Sequence, residues 1–214
     1  MRAVEVSGVS KRFGEIVAVN DLSLHVEEGE AVALFGPSGS GKTTVLRIVA
    51  GLERPDGGRV ILRGRHVSGN GVFVAPNERK LGMVFQDLAL WPHMTAERHL
   101  DFVLKGTGSA GERRRERIDE LIRTFELTHR RQALPSGMSG GEQQRLAIAR
   151  ALATEPSILL LDEPLANLDE TLRGKVIEEL LRLKRGSGVS ILFTTHVREE
   201  LERLADRTVE MGKR

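Results

Sequence analysis

The chain has 214 residues, and its 32 Lys and Arg nearly balance 30 Asp and Glu for a formal net charge of +2. With 40% hydrophobic residues it suits one globular domain with an ample core, and its interspersed charge signs exclude a nucleic-acid footprint. It has no cysteine, which excludes disulfides and thiolate metal sites and fits a reducing compartment. The opening MRAVEVSGVSKRFGE predicts no secretory leader, and no stretch of about 18 apolar residues is present to predict a membrane span. Any membrane role is therefore expected through a partner.

In chain order, AVEVSGV (3–9) and IVAVNDLSLHVEEGE (16–30) predict strand pieces, the second closed by Gly29. AVALF (31–35) is a continuous apolar run, as expected of a strand buried on both faces. TTVLRIVAGL (43–52) reads as a helix stopped by Gly51, and GRVILRG (58–64) as a strand after the turn residues PDGG. LGMVFQ (81–86) is a third apolar run. Residues 93–134 then read as helical, most clearly where Ile118, Leu121, Ile122 and Phe125 recur at helical spacing. The run Glu112–Arg117 reads as a solvated helix face. SILLLDEP (157–164) and VSILFTTH (189–196) return to buried strands. Between them an amphipathic helix carries Leu172, Val176 and Leu180 on one face and ends at Gly186–Gly188. Alternating strands and helices predict an α/β fold with a mainly parallel sheet. The expected division is a core of residues 1–86 and 156–214, interrupted by a helical block at 87–155.

Two stretches carry chemistry. Gly36-Pro37-Ser38-Gly39-Ser40-Gly41-Lys42-Thr43 fits the phosphate loop G-x-x-x-x-G-K-[ST], with the required strand before it and helix after it. Glycines let backbone N–H groups converge on phosphate oxygens, and the helix dipole adds positive potential. Lys42 supplies a point charge to the β and γ phosphates, Thr43 a hydroxyl to Mg²⁺, and Thr44 continues the loop into the helix. The second stretch is Asp162-Glu163, at the end of a buried strand. Asp162 suits Mg²⁺ through its water shell. Glu163, expected on the opposite side by strand alternation, suits a general base that polarises water in line with the γ phosphate.

A second glycine turn, MSGGEQQRLAIARAL (138–152), opens another helix, which is an anion site without a lysine. The phosphate loop, LLLDEP and SGGEQQRLAIARAL together resemble the ATP-binding subunit of ABC transporters, over essentially the whole chain. The resemblance implies a RecA-like P-loop NTPase core with an N-terminal antiparallel β subdomain and an inserted helical subdomain. It implies ATP and Mg²⁺ as cofactors, and two subunits sandwiching two ATP molecules. Ser139, Gly140 and Gly141 would then close on the γ phosphate held by a partner chain, and a two-fold axis would complete both sites. Glu142 stands where glutamine is common in this signature. Little effect is expected, since backbone donors carry the contact.

Further positions carry across one at a time. Phe13 matches the aromatic that stacks on adenine. Gln86 matches the glutamine that contacts Mg²⁺ and the attacking water. Asp169 matches the aspartate that crosses the dimer interface, and His196 the switch histidine at the γ phosphate. Val197 follows it where aspartate is frequent, which is expected to loosen the histidine loop.

The resemblance is to bacterial importers more than exporters. It implies a partner membrane permease, an extracytoplasmic solute-binding protein in the same system, and a location at the cytoplasmic face of the inner membrane. No nucleic-acid partner is expected. In QDLALWPHMT (86–95), Leu88, Leu90, Trp91 and Met94 suit either a groove for a permease helix or packing of the helical block. A C-terminal regulatory domain, which many importer subunits carry, is not expected after Arg214. The alternative is an ABC ATPase of DNA repair or translation. Such proteins usually carry long coiled coils or two ABC domains, and neither is present in the sequence.

Overall fold

A computed structural model describes residues 1–108, 110–166 and 168–212, and it contains two five-stranded sheets. The first is antiparallel, with strand order β2-β1-β4-β5-β6. Its strands are β1 (Arg2–Phe13), β2 (Ile16–Glu27), β4 (Gly57–Leu62), β5 (Arg65–Gly69) and β6 (Val72–Phe73). The second is parallel throughout, with order β10-β3-β9-β8-β7. It comprises β3 (Ala31–Phe35), β7 (Gly82–Val84), β8 (Ile158–Asp162), β9 (Ser190–Thr195) and β10 (Arg207–Glu210). The antiparallel sheet expected at the N-terminus is therefore present, and GRVILRG belongs to it.

The apolar runs explain the parallel sheet. Every residue of β8 and β9 is buried, as are four of the five in β3. Strand alternation sends their side chains to two separate cores. Val32, Leu34, Ile158, Leu160 and Leu192 pack with helix α1 (Lys42–Ala50) and the antiparallel sheet. Ala31, Ala33, Leu159, Leu161, Ile191 and Phe193 pack on the other face. That face is covered by α2 (Ala96–Lys105), α3 (Gly111–Thr124), α4 (Gly140–Leu152) and α5 (Glu170–Ser187).

Helices α2, α3 and α4 all fall between β7 and β8, in the stretch expected to be helical. Residues 93–134 are not continuously helical, however. The chain turns at residues 106–108, and only 3-10 turns follow Phe125. The arginines of α3 also do more than face water. Arg114 pairs with Asp101 at 2.8 Å, and Arg117 donates to the Leu152 carbonyl at 3.0 Å. Among the described residues, no helix is long and apolar enough to cross a membrane.

Arg79 joins α1 to the antiparallel sheet without a carboxylate. It is buried, and its guanidinium makes five hydrogen bonds: to the carbonyls of Val74, Ile48, Val49 and Val67, and to Ser68 Oγ. Ile48 and Val49 belong to the last turn of α1, where carbonyls lack helical partners and the dipole favours a cation. Burial lowers its pKa to about 10, leaving it charged at neutral pH. Arg79→Met strands the Val49 and Val74 carbonyls and Ser68 Oγ, while the Ile48 and Val67 carbonyls keep the N–H groups of Gly51 and Val74. Each orphaned buried group costs roughly 1–3 kcal/mol, so urea unfolding is expected to show a loss of about 3 kcal/mol or more. A loss under about 0.5 kcal/mol would mean that the carbonyls find other donors.

Candidate functional site

The parallel strands end together at one edge. Val84 pairs with Leu161, Asp162 with Thr194, and Phe35 with Thr195. Ligands of open parallel sheets gather beyond this carboxyl edge. The loop at residues 36–41, Gln86, Glu163 and His196 all follow strands there.

The phosphate loop enters α1 through Gly41, whose φ is +94°. A Cβ at Gly41 would lie 2.1 Å from the Ala18 carbonyl oxygen, so only glycine allows β2 and the loop to touch. The helix has no side-chain cap, leaving first-turn N–H groups, including those of Thr43 and Thr44, without helical acceptors. Ser40 is 4% exposed, and its buried Oγ has no hydrogen-bond partner. Ser38 and Gly39 are exposed at the crown, and Gly36 is buried against Met211. An orphaned hydroxyl beside an uncapped helix end fits phosphate oxygens. Lys42 lies across the loop, its Nζ donating to the carbonyls of Gly36 at 2.8 Å and Pro37 at 2.9 Å. Phe13, half exposed, projects from the hairpin that carries Ala18, with the Lys11 ammonium 5.2 Å from its ring centroid.

Asp162 is buried beneath this loop. Its Oδ1 accepts from Thr43 Oγ1 at 2.9 Å and Thr194 Oγ1 at 2.8 Å. Burial pushes its carboxyl up, and the two hydroxyls oppose that shift. A hydroxyl and a carboxylate are the hard oxygen donors Mg²⁺ prefers. Among the described residues no cluster of three or more His, Cys, Asp or Glu could hold an ion, so such an ion would take its remaining oxygens from a nucleotide and water.

Glu163 corrects one expectation. The strand ends at Asp162, and Glu163 sits at φ +47°, with its N–H donating to Thr194 Oγ1 at 2.8 Å. A left-handed turn, rather than strand alternation, aims its side chain. His196, 52% exposed, places Nδ1 3.6 Å from Glu163 Oε1. Gln86 is exposed in the turn after β7.

The second glycine turn stands apart. Among the described residues no hydrogen bond or ion pair links it to the phosphate loop. Ser139 caps α4 in a capping box: its Oγ accepts from Glu142 N–H at 3.3 Å, and Glu142 Oε2 accepts from Ser139 N–H at 2.8 Å. Ser139 and Gly140 are exposed. Gly141 is buried, and a Cβ there would meet Leu172 Cδ2 at 1.8 Å, so α4 packs directly on the first turn of α5. Asp169 caps that turn, accepting from Leu172 N–H at 2.9 Å. Glu142 is 7% exposed and turned inward, its Oε1 accepting from His129 Nε2 at 2.9 Å and Arg130 Nε at 3.0 Å.

The apolar loop packs partly on the helical core and partly borders a cavity. Leu88 and Leu90 pack on the helical core. Trp91 stacks on His99, meets Phe102 edge to face, and lines a cavity of about 370 Å³ with Leu52, Leu81, Met83, Phe85 and Val103. Sequence reasoning missed Arg150, which donates to the carbonyls of Leu88 at 2.8 Å and Ala89 at 2.5 Å. It also missed Thr194, although the TT before His196 was a usable signal for a hydroxyl beside Asp162.

Residues 19–166 match the family described as ABC transporter. The chain is 44% identical over 209 residues to the sulfate/thiosulfate import ATP-binding protein CysA of Synechococcus elongatus, covering 98% of this chain and 60% of that protein. It is 45% identical over 212 residues to the Fe(3+) ions import ATP-binding protein FbpC 1 of Rhizobium meliloti, covering 98% and 58%. It is 44% identical over 212 residues to the spermidine/putrescine import ATP-binding protein PotA of Chromobacterium violaceum, covering 99% and 58%. The chain thus spans 58–60% of the length of these curated relatives. Among solved structures it matches the dimeric structure of MJ0796, a bacterial ABC transporter cassette. The TM-score is 0.88 at 33% identity, covering 98% of this chain and 94% of that one. It also matches that cassette in a dimeric post-hydrolysis state bound to ADP and Pi, with TM-score 0.87 at 33% identity, covering 97% and 94%.

Burial opposes the ionisation of Glu142, but the Ser139 N–H, Arg130 and His129 outweigh it and hold the carboxyl down near 2. A depressed acid stabilises the fold above its unfolded value of 4.5, and that contribution is lost as pH falls toward 2. Glu142→Gln is therefore expected to be less stable than wild type by a constant amount above pH 5, with the gap closing between pH 4.5 and 2. Thermal melts across that range check this; a gap independent of pH would show that the charge contributes nothing.

Proposed function

The chain belongs to the ABC transporter family, and we propose that it works as the ATP-hydrolysing motor subunit of a solute importer. The observation that carries this reading is the division of the phosphate chemistry into two half-sites. One is the loop over Asp162 and Glu163. The other is the exposed Ser139–Gly140 turn, which among the described residues has no hydrogen bond or ion pair to that loop. Two copies related by a two-fold axis would bring each turn over the other's loop, burying two ATP molecules. The dimeric form of the similar MJ0796 cassette supports this pairing. The printed names of the curated relatives, all import ATP-binding proteins, support the direction of transport.

In this reading the uncapped start of α1, Ser40 Oγ and Lys42 hold the phosphates, Phe13 stacks on the adenine, and Thr43, Asp162 and Gln86 face Mg²⁺. The ion, when bound, would neutralise charge on the β and γ phosphates. Glu163 takes a proton from a water whose oxygen attacks the γ phosphorus as the bond to the leaving ADP oxygen breaks. His196, beside Glu163, donates to the γ phosphate. Asp169 and the Ser139–Glu142 turn meet the partner copy.

Residues 87–155 form the helical subdomain and the remainder the nucleotide-binding core. The Trp91 groove receives a helix of a transmembrane permease, which places the subunit at the cytoplasmic face of the membrane. A solute-binding protein outside the membrane completes the system.

Glu163→Gln tests the chemistry. General-base catalysis contributes about 10²- to 10⁴-fold, so turnover is expected to fall at least 100-fold while Mg-ATP still binds and drives two copies together. Hydrolysis at the wild-type rate would remove Glu163 from the base role. A mild-detergent pull-down with the same variant and Mg-ATP tests the transport reading: a multi-span permease is expected, and a soluble partner alone would overturn it.

A further inference from the structure

Glu200 is a buried carboxyl group with no part in the reaction proposed above. It lies on α6 (Arg198–Leu204) and is 3% exposed. The N-cap of that helix, Val197, has no side-chain oxygen, so α6 begins without a side-chain cap. An interior carboxylate costs several kcal/mol unless neighbours compensate for its lost hydration. The neighbours of Glu200 are specific.

Thr195 Oγ1 donates its single proton to Glu200 Oε2. The same oxygen accepts from Val197 N–H at 3.0 Å. Thr195 and Val197 flank His196, so these two bonds fix the chain on both sides of the imidazole. On the other side, Glu200 Oε1 lies 3.8 Å from Arg173 Nε, which is buried and has no hydrogen-bond partner. The other nitrogens of Arg173 hold Glu170 Oε2 at 3.1 Å and the Leu168 carbonyl at 3.2 Å. Leu168 directly precedes Asp169, the cap of α5. Glu163, Arg173, Thr195, His196 and Glu200 line one hollow of about 170 Å³.

The geometry points to Glu200 as a positioning residue that holds His196 against Glu163 through Thr195 and ties that placement to the start of α5 through Arg173. This rests on the reading of Glu163 and His196 as the hydrolytic pair. A threonine hydroxyl has one proton to give. With a carboxylate receiving it, the lone pairs are left for the Val197 N–H. Without an acceptor at 200, the hydroxyl is free to rotate, and the segment around His196 loses its outside anchor. Burial pushes the Glu200 carboxyl up, and Thr195, Arg173 and His196 oppose that shift. Closing the Arg173 gap by roughly 0.8 Å would make an ordinary charge-assisted hydrogen bond. Movement at the cap of α5 therefore reaches the imidazole through three side chains, Arg173, Glu200 and Thr195.

The test is Mg-ATP hydrolysis by the full chain with Glu200→Ala, Glu200→Gln and Thr195→Val, each also combined with His196→Ala. Single-turnover assays keep the slow combinations measurable, and melting temperatures are recorded for all. Glu200→Ala and Thr195→Val are each expected to lower kcat about tenfold, with KM within about twofold. Glu200→Gln keeps an acceptor oxygen for Thr195 and is expected to stay within about threefold of wild type. In the His196→Ala background neither loss recurs, because both act through that histidine. Should Glu200→Ala fail to fold, the near-isosteric Thr195→Val carries the same comparison. An equal loss in the His196→Ala background overturns the proposal, as does wild-type kcat in Glu200→Ala and Thr195→Val. Either result with His196→Ala itself impaired overturns this proposal alone. Wild-type turnover by His196→Ala overturns the hydrolytic pair, and this proposal with it.

Discussion

Two threonine hydroxyls give their protons to one buried oxygen, Asp162 Oδ1, and the site is built around that point. Thr43 brings the first turn of α1, Asp162 is the last residue of β8, and Thr194 lies near the end of β9. Having given its proton to Asp162, Thr194 Oγ1 can accept the Glu163 N–H, and that bond holds Glu163 in its left-handed turn. The aim of one carboxylate thus depends on the hydrogen bonds of the other. A change at Asp162 reaches the phosphate loop and Glu163 at once, although neither touches the other directly.

This frame stays rigid because the strands beneath it are buried on both faces, each side chain committed by alternation to one of two cores. Buried guanidiniums then tie loops to helices through carbonyl oxygens. Arg79 holds the last turn of α1, and Arg150 holds Leu88 and Ala89. Leu88 and Ala89 sit at φ +61° and +44°, a consecutive left-handed pair without glycine that local preference disfavours. Arg150 supplies the compensation. It lies on α4, the helix that opens with Ser139, so the loop after Gln86 and the second glycine turn are attached to one rigid element.

What the sequence made legible follows from short-range rules. The runs 31–35, 157–164 and 189–196 contain β3, β8 and β9, because a strand buried on both faces needs unbroken apolar residues. Gly51 ends α1 as read. The hairpin of β5 with β6 was not visible: RHVSG and VF are polar or too short to show a period, and pairing of β5 with β4 and of β6 with β5 defines them. Helix α6 has seven residues and no side-chain cap, so it lacked both start signal and length. The candidate site's phosphate loop and Asp162-Glu163 could be picked out because phosphate chemistry demands a fixed local spacing. Arg79, Arg150 and Glu200 could not, since Arg79 reaches back to Ile48 and Val49, the acceptors of Arg150 are Leu88 and Ala89, and Glu200 needs Arg173. No local pattern encodes a partner at that range.

Glu142 shows how a residue in a turn proposed to bind an anion can itself be an anion. A carboxylate beside a phosphate would repel it, and glutamine would avoid the problem. Here both oxygens are turned inward, Oε2 to the Ser139 N–H and Oε1 to His129 and Arg130. The Arg130 guanidinium balances the charge, and the capping box fixes the shape of the turn. The Ser139 hydroxyl proton and the N–H groups of Gly140 and Gly141, which have no acceptor within the helix, stay available to a ligand. The carboxylate therefore organises the turn and leaves the binding to its neighbours. That arrangement depends on Arg130: without it, the buried carboxylate would keep the Ser139 N–H and His129 but lose the guanidinium that balances its charge.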